Sequence, residues 1–192
     1  MRAFIAMILI LVTPLMAACT PESKKSLPEA TRIAVDDRLV GTWSARVLGN
    51  DYVASVTKAG GGELDVVLRT TRLNALNAGR PPIESRHKLA FFDLAGARVI
   101  AERGPSLADD RTVYRFTAYD VAADGSITFR YASQKEILRF VLPLKLRADL
   151  RSAGRTFRDV LLTADSEQIA AFMGSIKSDK MFDVAFGPFK QQ

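Results

Sequence analysis

Residues 111–133, RTVYRFTAYDVAADGSITFRYAS, decide the fold class, because two runs of strand-forming residues flank a turn signal within them. β-branched and aromatic residues are frequent on both sides of the Ala-Ala-Asp-Gly sequence, as in strands. Asp124-Gly125 is a dipeptide that commonly closes a two-stranded hairpin. The stretch therefore predicts two antiparallel strands, at 111–121 and 126–133, joined by a tight turn.

The segments that precede this hairpin show the same period of two. In each of them apolar side chains recur at every second position, which is typical of a strand with one buried face. The predicted strands are 42–47, 52–58, 63–71, 84–92 and 97–103. Their predicted buried faces carry Trp43, Ala45 and Val47; Tyr52, Ala54 and Val56; Leu64, Val66 and Leu68; and His87, Leu89 and Phe91.

The alternation breaks after the hairpin, in segment 134–154. The spacing of Ser133 and Glu136 is that of a capping box, so a short helix ending at Pro143 is predicted, and residues 144–154 are either strand or irregular. The whole segment either completes the sheet or caps it. Residues 156–163 return to a strand pattern and are predicted to be the eighth strand.

The C-terminal region predicts one helix. Asp165 with Gln168 has the spacing of an N-terminal cap. Ile169, Phe172, Met173 and Ile176 then form an apolar stripe of helical period. A last short strand is one option for 182–186, and Gly187-Pro188 is predicted to end regular structure. These elements predict a mostly β protein, an antiparallel meander of about eight strands forming a barrel or sandwich, with one C-terminal amphipathic helix.

The N-terminus has the parts of a secretory signal. Arg2 is basic, residues 4–12 are all apolar, and small residues precede Cys19, which is the only cysteine of the chain. The apolar run is too short for a membrane span, which takes about 20 residues. Residues 1–18 are therefore predicted to be a signal peptide rather than a permanent transmembrane helix.

The sequence Leu15-Met16-Ala17-Ala18-Cys19 resembles the lipobox of bacterial lipoproteins, with Met16 where that family most often has Leu. The resemblance implies cleavage before Cys19, a diacylglyceryl group on its sulfur and N-acylation, with palmitate as a typical chain. Each buried CH₂ contributes about 0.8 kcal/mol, so two or more chains hold a protein stably on a membrane.

The predicted organisation is a signal peptide at 1–18, a lipidated cysteine and tether at 19–37, and a single β-rich domain at 38–189. Ser26 and Glu29 have capping-box spacing, so a short helix through about residue 35 is one option within the tether. Thr20 stands where an inner-membrane retention signal would have Asp. The expectation is thus an outer-membrane lipoprotein whose domain faces the periplasm, with the inner membrane as the alternative.

The formal net charge of +6 favours attraction to anionic surfaces. In the expected compartment these surfaces are lipid head groups, lipopolysaccharide and peptidoglycan. That location also argues against nucleic acid as a partner. The membrane, reached through Cys19, and a lipid or other anionic envelope ligand are the partners that the sequence predicts, and no protein partner can be named.

Gly41-Thr42-Trp43 resembles the Gly-x-Trp opening of the lipocalins. The resemblance implies a lipocalin-like barrel in which Trp43 lies at the barrel floor. The Thr-Asp-Tyr motif of that family is absent, since residues 117–120 have the residue types in another order, and segment 134–154 has no counterpart there.

Two groups of residues are candidates for binding. Aromatic side chains on the strands either form the core or line an apolar cavity, and basic side chains around 135–158 either face water or contact an anionic surface. The candidates for an apolar ligand are Trp43, Tyr52, Phe91, Phe116, Phe129 and Tyr131, with Tyr114 as a further aromatic of the same strands. The candidates for an anionic surface are Arg139, Lys145, Arg147, Arg151 and Arg155.

Residues for catalysis and metal binding are sparse. His87 is the only histidine, which excludes a His-rich zinc site. A Ser-His-acid site would have to use His87, and Ser85 lies on the same strand face, but no Gly-x-Ser-x-Gly elbow is present. The acidic pairs at 36–37 and 109–110 are typical of turns. No catalytic residue, metal or cofactor is predicted.

The predicted function is therefore a non-enzymatic β domain, held on the outer membrane, that binds an apolar or amphipathic ligand or an envelope component. An accessory lipoprotein of an envelope protein complex is the alternative, and an envelope hydrolase is the third.

Lipidation of Cys19 is directly testable. Labelled palmitate should be incorporated into the wild-type protein and should be lost in Cys19→Ser, because the thioether needs the sulfur. Gel autoradiography of the two proteins measures this. Equal incorporation in both would contradict the lipobox assignment.

Overall fold

The computed structural model describes most of the chain after residue 20. The described residues are 21–47, 49–72, 81–106, 111–132, 137–138, 146–153, 157–176 and 178–192. In this part of the chain the strands are β1 (Glu22–Ser23), β2 (Gly41–Val47), β3 (Asn50–Ala59), β4 (Glu63–Arg72), β5 (Ile83–Leu94), β6 (Ala97–Pro105), β7 (Thr112–Val121), β8 (Ile127–Tyr131), β9 (Ala148–Ala153), β10 (Phe157–Leu162) and β11 (Val184–Gln191). Short 3-10 turns lie at Glu29–Thr31 and Asp37–Leu39, and the helices are α1 (Ser166–Ser175) and α2 (Ser178–Met181).

Eight of these strands form a closed antiparallel barrel. Strands β2 to β8 follow one another as a meander, and β6 pairs with β7. The last strand, β11, lies between β8 and β2 and closes the barrel. The predicted meander and fold class are confirmed. The predicted hairpin also forms, with Asp124 accepting a hydrogen bond from the amide of Ser126 at 2.9 Å and Gly125 at a φ of 79°.

The prediction that Gly187-Pro188 ends regular structure is wrong. Strand β11 continues to Gln191, and its register against β8 shifts between Phe186 and Phe189. Gly187 has a φ of +127°, and a Cβ on it would lie 2.9 Å from the carbonyl oxygen of Ile127. Glycine at this position therefore lets the strand pass through the irregularity and continue.

The strand predicted at 156–163 forms as β10, but it is not the eighth strand of the barrel. It pairs with β9 and, in parallel, with β1. Strand β1 in turn pairs with β7, with Glu22 opposite Arg115. Strands β1, β10 and β9 thus extend from one wall of the barrel as a side sheet.

Residues assigned to the tether take part in this architecture. Glu22 and Ser23 are buried in the sheet. Glu29–Thr31 is a single 3-10 turn capped by Pro28 without a side-chain hydrogen bond, so the short helix considered from Ser26 and Glu29 does not form. The chain is ordered against the domain well before residue 38.

Two hydrophobic cores result. The interior core fills the barrel and includes Trp43, Val56, Leu64 and Phe91, which confirms the predicted buried faces of β2 to β5. The outer core lies between the outside of β5 to β7 and the side sheet and helices. It contains Phe92, Leu94, Val99, Phe116, Val160, Leu162, Ile169, Phe172, Met173 and Ile176 among others.

Helix α1 begins as predicted. Asp165 and Gln168 form a reciprocal capping box, and the apolar stripe predicted from helical period is buried. The helix therefore covers the outer wall of the barrel with that stripe. Of the helix predicted after residue 133, Ile137 and Leu138 are helical, and the rest of it lies outside the described residues.

Shortening Ile169, which is 0% exposed, should destabilise the fold. Ile169→Ala is expected to lower the free energy of unfolding by about 2–5 kcal/mol, since it leaves a cavity between helix and barrel. The control is Ala171→Gln on the exposed face of α1, which should change stability by less than about 0.5 kcal/mol. Urea unfolding measures both. If both variants lost the same small amount of unfolding free energy, α1 would not cover the barrel.

Candidate functional site in the barrel interior

A cavity of about 180 Å³ lies inside the barrel. Its wall is mainly aliphatic and aromatic, supplied by the inward faces of β2 to β8 and β11. Among the described residues, the polar side chains that also line it are those of His87, Glu102, Thr117 and Tyr131. An apolar space with a few convergent polar groups is the usual form of a small-molecule site.

Trp43 forms the part of the wall next to the 3-10 turn Asp37–Leu39. Its side chain is 4% exposed, and its Nε1 donates a hydrogen bond to the carbonyl oxygen of Leu39 at 2.8 Å. Leu39 itself is buried in the interior core. Because the indole N–H is paired, the ring can lie in an apolar wall without an unsatisfied donor.

His87 connects two polar groups across the wall of β5 and β6. Its Nδ1 lies 2.9 Å from Glu102 Oε1, and its Nε2 lies 2.8 Å from Ser85 Oγ. Ser85 and His87 share the inward face of β5 because strand side chains alternate. Glu102 reaches the same point from the neighbouring strand β6.

A buried ion network continues from Glu102. Arg115 on β7 places Nη1 3.5 Å from Glu102 Oε1 and Nη2 2.8 Å from Glu22 Oε1. Ser106 Oγ donates to Glu22 Oε2 at 2.7 Å. The side chains of Glu22 and Arg115 are only 4% and 11% exposed. The network thus joins the side sheet to the polar part of the cavity wall.

These surroundings set the ionisation of two groups. Burial acts to raise the pKa of Glu102, but the hydrogen bond from His87 and the positive charge of Arg115 hold that pKa below its ordinary value. Burial raises the pKa of Tyr131, and the Glu102 charge raises it further. Near neutral pH the cavity therefore contains a carboxylate and a protonated phenol.

A second polar cluster is centred on Asp36. Its carboxylate accepts from Arg38 Nη2 at 2.6 Å, from Arg98 Nη1 at 3.0 Å and from the Tyr119 hydroxyl at 3.2 Å. The Arg38 hydrogen bond chiefly lowers the pKa of Asp36 to about 2, against the opposing effect of burial. Burial, followed by the Asp36 charge, raises the pKa of Tyr119 to about 12. This cluster fixes the segment before β2 to the barrel.

The aromatic residues predicted for ligand binding fall into three places. Trp43, Phe129 and Tyr131 line the cavity. Tyr52 and Phe91 lie in the interior core, where each makes an edge-to-face contact, with Phe186 and Tyr119 respectively. Phe116 lies in the outer core, on the other face of β7, and so does not contact the cavity. Tyr114 packs against the same outer core.

The basic residues predicted for an anionic surface are only partly described. Arg147 is exposed, and the backbone of Arg151 belongs to β9. Arg139, Lys145 and Arg155 lie outside the described residues, as does Cys19.

Glu22, Glu102 and Arg115 are site residues that the sequence analysis did not identify. The sequence pattern could have indicated Glu102, because it shares a strand face with the buried Ile100. A carboxylate on an apolar face needs a partner. Arg115 is similar, on a strand whose two faces are both mostly apolar. Glu22 carries no such signal, since its surroundings have the composition of a linker.

No protein-family model, no curated protein and no solved structure matches this chain. Within the described ranges, no helix has the length and apolar character needed to cross a membrane. The same ranges contain no group of three or more metal-ligating side chains.

The Asp36 cluster predicts a pH-dependent stability. Because the pKa of Asp36 falls from 3.8 to about 2 on folding, its carboxylate stabilises the fold above pH 4, and this contribution is lost as the pH falls toward 2. Asp36→Asn should therefore cost about 1–2 kcal/mol at pH 7, after allowance for solvent screening of the arginines, and much less at pH 2.

Asp37→Asn is the matched control, since it removes the same charge from a neighbouring carboxylate that is 70% exposed. Urea unfolding at several pH values measures the difference. A constant difference between wild type and Asp36→Asn over pH 2–7 would contradict the assignment.

Proposed function

We propose that this protein is an outer-membrane lipoprotein, anchored through Cys19, whose barrel binds a small apolar or amphipathic ligand on the periplasmic side. The observation that carries the binding proposal is the cavity of about 180 Å³ inside the closed barrel. A cavity in a packed core costs stability, because its lining atoms lack partners, and a ligand can restore those contacts.

The size of the cavity limits the ligand. An apolar cavity of about 150 Å³ is known to bind benzene. The space here, about 180 Å³, fits a small ring or a short aliphatic chain rather than a whole lipid. A larger amphipathic molecule would place only its short apolar part inside.

The polar part of the wall supports an amphipathic ligand. Thr117 and Tyr131 offer hydroxyl groups, and His87 offers an imidazole next to a carboxylate. Such groups orient a ligand and select among ligands of similar apolar volume. Hydrogen bonds made there are strong because the surroundings exclude much of the water.

The position of the proposed anchor supports a ligand drawn from the envelope. Cys19 precedes Glu22 by three residues, which span at most about 11 Å. Glu22 is fixed in the sheet beside Arg115. A lipid on Cys19 would therefore hold the barrel close to the membrane rather than at the end of a long tether.

The accessory role in an envelope complex has less support. It would need a contiguous exposed apolar patch. Among the described residues the exposed large hydrophobic side chains are Ile83, at 52%, and Val184, at 37%. Two such residues do not form a docking surface of the usual size.

Ligand binding can be measured through Trp43, because it is the only tryptophan and lines the cavity. Adding straight-chain alcohols and fatty acids, from butyl to decyl, to residues 20–192 should shift its emission in a saturable manner. Ala54→Leu fills part of the cavity and should weaken binding by about tenfold or more, equivalent to about 1.4 kcal/mol.

Ser55→Leu is the control, since Ser55 is exposed on the same strand. It should bind as wild type does. Native mass spectrometry of the protein isolated from its envelope would then identify the natural occupant. The binding proposal fails if no probe changes the emission of Trp43 and the isolated protein carries no small molecule.

A further inference from the structure

His87 and Glu102, which line the cavity, and Ser85, two residues before His87 on the same face of β5, have the connectivity of a nucleophilic triad. Ser85 Oγ lies 2.8 Å from His87 Nε2, and His87 Nδ1 lies 2.9 Å from Glu102 Oε1. A hydroxyl next to one imidazole nitrogen, with a carboxylate on the other, is the arrangement that activates serine for attack on acyl groups. It is recognised by geometry and roles, and does not require the strand-to-helix elbow that this chain lacks.

The proton positions follow from the partners. An ionised carboxylate only accepts hydrogen bonds, so His87 Nδ1 must carry the proton that faces Glu102. In the neutral imidazole, Nε2 is then the acceptor, and the Ser85 hydroxyl donates to it. This tautomer is the one that a general base needs in order to take the serine proton.

The surroundings hold this arrangement in place. Ser85 and His87 lie on one barrel strand and Glu102 on the next, where the ladder of β5 and β6 places Glu102 opposite Leu89, two residues from His87 on the same face. The His87 and Glu102 side chains are 24% and 18% exposed. Arg115, itself paired with Glu22, fixes the same carboxylate oxygen of Glu102 from the other side.

We propose that Ser85, His87 and Glu102 form a catalytic triad that cleaves small acyl esters whose acyl part occupies the barrel cavity. The proposal rests on the proposed function, because the same cavity supplies the binding of the acyl part. It assigns an activity to the barrel, where the sequence pattern predicted a non-enzymatic domain.

The reaction uses only ester and water. Ser85 Oγ attacks the ester carbonyl carbon while its proton moves to His87 Nε2, giving a tetrahedral oxyanion. Collapse of this species breaks the bond to the alcohol oxygen, which takes the proton from His87, and leaves an acyl group on Ser85. Water then attacks the acyl carbon, again giving its proton to His87. Collapse of this second tetrahedral species breaks the bond between the acyl carbon and Ser85 Oγ, which takes the proton back from His87 as the carboxylic acid departs.

The oxyanion needs hydrogen-bond donors. The hydroxyl groups of Thr117 and Tyr131 line the same cavity. Burial raises the pKa of Tyr131, so its phenol keeps its proton and remains a donor at neutral pH. Thr117 is 5% exposed, so its hydroxyl is likewise removed from competing water.

The test is covalent labelling of the full-length protein in isolated envelopes with a fluorophosphonate probe. The probe should form an Oγ–phosphorus bond at Ser85 with loss of fluoride, located by peptide mass spectrometry. Ser85→Ala should abolish the adduct, and His87→Ala should slow labelling by about a hundredfold, the usual contribution of a general base. Ser55→Ala, at an exposed position of β3, should label as wild type does.

Turnover is tested with the same envelopes and 4-nitrophenyl butyrate, against envelopes that carry Ser85→Ala. Hydrolysis above that background is the expected result. Glu102→Gln tests the positioning role, since it should lower kcat at nearly unchanged KM. An unlabelled Ser85 in a folded protein, or equal hydrolysis by wild type and Ser85→Ala, would overturn the proposal.

The labelling and emission experiments together distinguish failure of the triad proposal from failure of the binding proposal. If alcohols shift Trp43 emission while Ser85 stays unlabelled, the cavity binds a ligand without cleaving it, and the triad assignment is wrong. If neither occurs, the cavity itself is not a site. Retained binding of alcohols by Ser85→Ala shows that the variant is folded.

Discussion

The rest of the structure depends on the two ion pairs made by the Arg115 guanidinium. It lies between two carboxylates, Glu22 of the side sheet and Glu102 of the barrel interior. A buried charge that loses its partner costs about 3–5 kcal/mol, so each of these groups requires the others. One side chain thereby fixes the N-terminal strand to the barrel and holds the carboxylate that faces His87.

Strand β7, which carries Arg115, has two buried faces. Arg115, Thr117 and Tyr119 point into the barrel, while Phe116 and Ala118 belong to the outer core. A barrel wall that is apolar outside must be covered, and the side sheet with helix α1 covers it. The barrel is therefore closed on itself and also carries a second layer, which a simple eight-stranded meander would not need.

The period of two predicted most of the barrel, because strands β2 to β8 are consecutive and each has one clear inward face. It did not identify the closing strand, because Phe157–Leu162 and Val184–Gln191 both resemble strands locally and the choice between them depends on distant partners. The irregularity at Gly187 also hides the pattern, since Phe186 and Phe189 are both in or against the interior core although they are three residues apart. The role of Glu22 was not predicted for a similar reason, because its ion-pair partner, Arg115, lies 93 residues further along the chain.

The site shows the same division between local and distant information. Ser85 and His87 are two residues apart, so the sequence alone places them on one strand face. Glu102 completes the group only when β5 and β6 pair, and the side-chain geometry then shows that its carboxylate meets Nδ1 of His87. That placement matters because a carboxylate on Nδ1 leaves Nε2, the nitrogen next to Ser85, free to accept the serine proton. The apolar cavity beside it then determines which acyl groups can approach.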